Sequence, residues 1–67
     1  MTRAQIETLA CMEQGVGYSS ASIADRRRRT YGGRLRVTMQ RHVMERMRED
    51  GLVVMVKDYS GDLWTRA

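Results

Sequence analysis

The hydrophobic pattern of this chain changes its period at Gly51, and that change limits the fold more than any other feature. Before Gly51, apolar side chains recur every four residues, at Leu35, Met39, Val43 and Met47, with Met44 beside them. This spacing predicts a helix over about 34–50. After Gly51, residues 52–56 read Leu-Val-Val-Met-Val, a β-branched run that favours a strand. A helix that ends at a glycine and leads into a strand predicts an α+β fold.

A first helix is predicted over residues 3–14. Thr2 and Gln5 have the spacing of a capping box, in which each side chain caps the other residue's backbone N–H. The apolar residues that follow at helical spacing are expected to face the core: Ile6, Leu9, Ala10 and Met12.

A second helix is predicted over residues 20–28. Ser19 is a good N-cap, and Tyr18 can then pack on Ile23 as a hydrophobic staple. The pair Gly32-Gly33 breaks the chain before the third helix.

A hairpin completes the predicted order α-α-α-β-β, in one domain that spans residues 1–67. Residues 58–62 read Asp-Tyr-Ser-Gly-Asp, which is turn chemistry, and residues 63–66 form the returning strand. Trp64 is expected to pack the hairpin onto the helices. The face that carries Val53 and Met55 would then be partly exposed, which would suit self-association.

Positive charge is concentrated in one segment of the chain. Residues 26–36 contain six arginines and no acid, whereas the rest of the chain has six basic and eight acidic side chains, a net charge of −2. A local basic patch is what a polyanion-binding surface requires. The alternative is a solvated helix face, or pairing of these arginines within the molecule.

The composition argues against an enzyme, a metal site or a bound cofactor. His42 and Glu45 supply only two potential ligands, and the acids around Gly61 are explained by the turn. No glycine-rich phosphate loop is present. Cys11 is the only cysteine, so an internal disulfide is impossible. No apolar run approaches the ~20 residues of a membrane span, and a cytoplasmic location is expected.

Two fragments resemble winged helix-turn-helix domains of MarR-like and related bacterial and phage regulators. Residues 19–24, Ser-Ser-Ala-Ser-Ile-Ala, resemble the start of the second helix in that family. Residues 44–53 resemble the end of its recognition helix and the entry into the wing. Arg27 departs from the pattern, because the family usually has an apolar residue there. The segment between Ile23 and Gly51 is also roughly six residues longer than the compact family pattern.

The resemblance implies a DNA-binding regulator with a three-helix helix-turn-helix core and a C-terminal hairpin wing. In such domains the third helix lies in the major groove of double-stranded DNA and the wing reaches the backbone. Carried onto this chain, the helix would supply Arg34, Arg36, Thr38, Arg41 and His42, and the wing would supply Lys57, Tyr59 and Ser60. Independently of the family, the residues that precede this helix are expected near the same surface: Arg26, Arg27, Arg28 and Arg29.

Two other functions remain open at the level of sequence. The chain could be a protein-binding adaptor or inhibitor whose arginines meet an acidic partner, or it could bind RNA through the arginine-rich segment. If it binds DNA, one small module gives modest affinity, so dimerisation or tandem sites are expected.

Overall fold

The computed structural model of the protein describes residues 1–59 and 61–67, and its fold is α+β. Three helices come first: α1 spans Arg3–Ala10, α2 spans Ser20–Tyr31 and α3 spans Val37–Glu49. A two-stranded antiparallel hairpin follows, with β1 at Val53–Asp58 and β2 at Gly61–Arg66. The ladder is continuous from Val53 opposite Arg66 to Asp58 opposite Gly61.

Local capping signals set three helix ends as the sequence predicts. The Thr2 hydroxyl accepts from the Gln5 N–H, and the Gln5 side chain accepts from the Thr2 N–H, so the capping box is complete. The Ser19 hydroxyl accepts from the Ser22 N–H at the start of α2. Gly51, with a φ of +75°, ends α3. Its N–H reaches the Arg48 carbonyl, and the next N–H reaches the Met47 carbonyl, a pairing that satisfies the last helical carbonyls.

The other helix boundaries differ from the sequence prediction. α1 ends at Ala10 rather than residue 14, and α2 continues past residue 28 to Tyr31. In α2 the carboxylate of Asp25 pairs with Arg28 and Arg29, which offsets the repulsion expected among the arginines. α3 begins at Val37 because Arg36 has an extended backbone and takes the N-cap position.

The core lies where the hairpin closes over the three helices. It is built mostly from aliphatic and methionine side chains, with Trp64 and Tyr18 at its hairpin side. The Trp64 ring is buried, and its Nε1–H donates to the Ser20 hydroxyl at 3.1 Å. The Trp64 and Tyr18 backbones also exchange two hydrogen bonds, of 2.9 and 2.7 Å. Trp64 therefore joins the hairpin to the helices, as the sequence predicts.

The predicted buried faces of α1 and α3 are partly wrong. Ile6 and Met39, expected to face the core, are 53% and 56% exposed, whereas Gln5, Thr8 and Gln40 are buried. The predicted exposed face of the hairpin, the one that carries Val53 and Met55, is also wrong. Val53 is buried and Met55 packs against the core, whereas the neighbouring Val54 and Val56 are exposed.

A line of polar side chains replaces part of the apolar contact between the helices. The Gln40 amide of α3 donates to the Thr8 hydroxyl of α1 at 3.0 Å, and its carbonyl accepts from Nη1 of Arg27 in α2. Nη2 of Arg27 then bonds the Glu7 carboxylate at 3.0 Å. We call these four residues, Glu7, Thr8, Arg27 and Gln40, the polar seam. It links all three helices through the fully buried side chains of Thr8 and Gln40 and the partly exposed side chains of Arg27 and Glu7.

Replacing Arg27 with alanine is expected to lower the free energy of unfolding by about 3 kcal/mol, because it leaves Glu7 and Gln40 without their buried partner. Chemical denaturation followed by circular dichroism measures the loss. The control is Arg29→Ala, which removes the same charge from a side chain that is 79% exposed. That change is expected to cost about 0.5 kcal/mol or less. Equal losses in the two variants would contradict the structural role of Arg27.

The polar seam also makes stability depend on pH through Glu7. The hydrogen bond from Arg27 lowers the pKa of Glu7 below its ordinary value of 4.5; desolvation opposes this shift, and Arg3 adds to it. The contribution of the ionised Glu7 to folding stability is therefore fully present above pH 4.5, its ordinary pKa. It is lost as the pH falls through the lowered pKa that Glu7 has in the folded state. Denaturation midpoints measured down the acid range should fall less steeply for Glu7→Gln than for the parent. The exposed Glu13 provides the control, and Glu13→Gln should follow the parent curve.

Candidate nucleic-acid interface

The six arginines between residues 26 and 36 lie in two groups. Arg26 to Arg29 belong to the second half of α2, and Arg34 and Arg36 lie in the segment that connects α2 to α3. Arg34 and Arg36 were expected on the third helix; they precede it instead, because α3 begins only at Val37. The guanidinium groups of the first group make contacts within the molecule, and those of the second make none among the described residues.

Arg27 does not belong to an exposed patch. Its side chain is 11% exposed and is held in the polar seam by Glu7 and Gln40. The expectation that Arg27 lies on the binding surface with its neighbours is therefore wrong. The cause is helical geometry: Arg27 follows the fully buried Ile23 by four residues and lies on the same face of α2.

Arg26 is also held by contacts within the molecule. Its Nε donates to the Cys11 carbonyl at 2.8 Å, and its guanidinium carbon lies 5.2 Å from the centre of the Tyr18 ring. The first contact satisfies a carbonyl at the end of α1, and the second is within cation–π range. Arg26 thus fastens α2 to the segment between α1 and α2.

Arg28 and Arg29 share one carboxylate at the surface. Arg29 is bonded to Asp25 at 3.1 Å, and Arg28 lies 3.7 Å from the other oxygen of the same group. Arg28 also donates to the Leu35 carbonyl at 2.8 Å, which ties α2 to the connecting segment. Two cations on one acid leave a net positive charge, and exposed ion pairs of this kind are weak enough to be exchanged for another anion.

The side chains of Arg34 and Arg36 have no hydrogen-bond or ion-pair partner among residues 1–59 and 61–67, and both residues are exposed. They stand directly before α3, whose first turn contains no acidic residue and has no side-chain cap. The first turn of a helix carries unpaired N–H groups and the positive end of the helix dipole. Two unpaired guanidinium groups beside such a helix start form a surface that favours an anion.

The N-terminal half of α3 presents polar side chains next to this surface. Thr38 and His42 are exposed and lie four residues apart, on one side of the helix. Arg41 pairs with Glu45 at 3.6 Å and lies 4.0 Å from Asp62 of β2. The exposed C-terminal half carries Glu45 and Glu49 together with Arg46 and Arg48, so its side-chain charges cancel, and the positive end of the helix dipole lies at the N-terminal half.

Arg48 is a basic residue of this helix that the sequence interpretation did not include. It is exposed, and its side chain has no ion-pair or hydrogen-bond partner among the residues that the structure describes. It follows Arg41 by seven residues, which places both on the same side of α3. That spacing is visible in the sequence and could have identified it.

The hairpin supplies two of the expected residues near its turn. Lys57 is exposed and pairs across the ladder with Asp62, and Tyr59 is fully exposed. Ser60, the third residue expected there, lies outside the described residues.

Other kinds of site receive no support from the part of the chain that the structure describes. No three His, Cys, Asp or Glu side chains come together there as a group that could hold a metal ion. No helix in residues 1–59 and 61–67 has both the length and the apolar character that crossing a membrane requires.

Comparisons with protein-family models, with curated proteins and with solved structures found no match for this chain.

Because the start of α3 has no side-chain cap, adding one is expected to stabilise the helix. Arg36→Ser places a hydroxyl acceptor at an N-cap whose backbone already has the required extended conformation. We expect the free energy of unfolding to rise by about 1 kcal/mol. The matched control is Arg34→Ser, which removes the same charge outside the cap position and should change stability by about 0.5 kcal/mol or less. A gain in both variants would attribute the effect to charge removal instead of capping.

Proposed function

We propose that this protein is a small DNA-binding regulator that places the N-terminal half of α3 in the major groove of a duplex. One observation carries the proposal: Arg34 and Arg36 are exposed and unpaired among the described residues, and they directly precede an uncapped helix start that carries no acid. Free arginines at a helix N-terminus suit a phosphate backbone, because both the guanidinium groups and the helix dipole favour negative charge.

The arrangement of the helices is compatible with this mode of binding. α2 and α3 pack against each other and are joined by residues 32–36. In helix-turn-helix proteins the second helix of such a pair enters the groove, and its N-terminal residues contact base edges. The order α3, β1, β2 is also the order of the recognition helix and the two wing strands in the winged helix domains that the sequence resembles.

The proposed contacts fall into two classes. Arg34, Arg36 and the outer arginines of α2, Arg28 and Arg29, would neutralise phosphates and fix the orientation. Thr38, Arg41 and His42 would meet base edges, where arginine can bond guanine bidentately. Lys57 and Tyr59 of the hairpin would contact the backbone beside the groove, and Arg26 and Arg27 would hold the scaffold.

The test measures binding of a short mixed-sequence duplex by fluorescence anisotropy at about 50 and 200 mM salt, a range over which phosphate contacts lose much of their affinity. The double variant Arg34→Ala/Arg36→Ala should bind more weakly and reduce the slope of log K against log salt by about 1–2, roughly one for each lost phosphate contact. The charge-matched control is Arg46→Glu, which changes the net charge by the same two units in the last turn of α3, at a side chain that is 72% exposed and lies at the other end of the helix from Arg34 and Arg36. It should keep the parent slope.

The alternatives give different results in the same assay. Absence of duplex binding at low salt would overturn the proposal, as would an equal loss of affinity in the double variant and in the Arg46→Glu control. Preference for single-stranded or hairpin RNA over duplex DNA in competition would indicate RNA binding. Weak, salt-sensitive binding with no sequence preference, together with a stoichiometric acidic protein partner, would indicate an adaptor.

A further inference from the structure

The basic segment of the chain continues into α3 without an acidic residue. Residues 26–44 contain seven of the chain's twelve basic side chains and none of its eight acids. The remaining residues carry five basic side chains and all eight acids, a net charge of −3. Charge complementarity therefore makes a polyanion the expected occupant of any surface that this segment forms.

Apolar side chains are exposed at the start of α3, inside this acid-free segment. Val37 is 43% exposed and Met39 is 56% exposed. Both lie in the first turn of the helix, the part that contacts base edges when a helix of this kind enters the groove. Phosphate contacts do not account for them, because phosphates are bound by cations and by N–H and O–H donors.

Met39 lies at the edge of the helix face that points away from the core. Gln40, the next residue, is fully buried, whereas His42, three residues after Met39, is exposed. Val43, four residues after Met39, packs against the core. Residues three or four apart are neighbours on a helix, so Met39 lies between a polar surface side chain and an apolar one. Its unbranched side chain can adapt to an irregular surface.

Val37 has less freedom to reach a ligand. It lines a small cavity together with Ser20 of α2, Arg41 of α3 and Trp64 of β2. Its exposed position therefore borders the hairpin and the start of α2. Its side chain is also β-branched and stiff. Of the two exposed apolar residues in the first turn, Met39 is the one that can extend towards a bound molecule.

The major groove of DNA offers one apolar group to such a side chain. This group is the C5 methyl of thymine, and the other base-edge groups that specify sequence there are hydrogen-bond donors or acceptors. Uracil lacks the methyl group, and the major groove of an RNA duplex is too narrow for side chains to read. An exposed apolar residue among cations at a helix start therefore matches DNA and has no counterpart in RNA.

We propose that Met39 contacts the C5 methyl group of a pyrimidine in the major groove, and that the protein thereby prefers thymine-bearing DNA. The inference rests on the proposed function, because it assigns a reading role within the same interface. Thr38 and His42 supply hydrogen-bonding groups beside it, and Met39 supplies the apolar contact. A 5-methylcytosine carries the same methyl group on a G·C pair, so Met39 favours that base over cytosine.

The test compares duplexes that differ only in this methyl group. A short duplex of alternating dA and dT is measured against the same duplex with dU in place of dT, by fluorescence anisotropy at about 50 mM salt. The repeat presents the methyl group in every register, so no target sequence has to be known. Burial of one methyl group corresponds to about fourfold in affinity, and the parent should bind the dU duplex more weakly by about that factor.

A second pair of duplexes separates the methyl group from the base that carries it. Alternating dG and dC is compared with the same duplex in which 5-methyl-dC replaces dC. The parent should bind the methylated duplex more tightly, again by about fourfold. A difference between dT and dU without a difference between 5-methyl-dC and dC would attribute the first effect to the shape of the duplex and would overturn the methyl contact.

Variants at position 39 assign the contact to its residue. Met39→Ala should bind the dT and dU duplexes nearly equally, with an affinity for the dU duplex close to that of the parent. Met39→Leu keeps an apolar side chain and should keep the preference. Both replacements are good helix formers. The matched control is Ile6→Ala, which shortens an apolar side chain that is 53% exposed on α1 and should keep the parent ratio. Circular dichroism checks the fold of each variant.

Two further variants remove the other methyl-bearing side chains of the first turn. Val37→Ala and Thr38→Ser should both keep the preference for the methylated duplexes. If either of them abolishes the preference while Met39→Ala retains it, the assignment to Met39 is wrong.

The outcomes separate this inference from the proposed function. A parent chain that binds the methylated and unmethylated duplexes equally well would overturn the inference and leave the proposed function in place. A preference that persists in Met39→Ala, or that Ile6→Ala removes, would also overturn the inference alone. A parent chain that binds none of the four duplexes at low salt would overturn both.

Discussion

The contacts of the Arg27 guanidinium hold the three helices in their relative positions. The group bonds Glu7 of α1 and Gln40 of α3 from its place in α2, and Gln40 extends the link back to Thr8. A chain of this size has only a small apolar core, so a buried polar network takes over part of the task of fixing the packing. Such a network is sensitive to geometry, because a misplaced helix would leave a buried charge without a partner. The polar seam therefore favours one arrangement of the helices over other compact packings.

Much of the fold is accessible from sequence because its signals are local. The cap at Thr2, the glycine at residue 51 and the β-branched run after it depend on near neighbours, and the structure has all three. The buried faces are harder to predict, because a pattern of apolar residues does not show which polar side chains are also buried. Gln40 and Thr8 are buried because they bond each other across 32 positions of the chain. Only a tertiary contact reveals that a polar side chain has a buried partner.

The arginine-rich segment shows a similar limit for the candidate site. Its charge is evident in the sequence. Which arginines bond within the molecule and which are exposed depends on where each residue lies on α2. The four-residue spacing from Ile23 to Arg27 was a usable sign that Arg27 faces inward. No comparable sign indicated that Arg26 would reach the Cys11 carbonyl, or that α3 would begin only after Arg36. These depend on the path of the connecting segments, which local propensity does not determine.

The backbone bridge between Tyr18 and Trp64 has a consequence for the order in which the molecule folds. It joins the link between α1 and α2 to a strand made near the other end of the chain, and Arg66 adds bonds to the carbonyls of Leu9 and Met12. The N-terminal third thus obtains part of its support from residues that are synthesised more than forty positions later. Contacts of such long range must close a large loop before they stabilise anything. The helices are therefore expected to complete their packing late and together with β2, as one cooperative event rather than in order of synthesis.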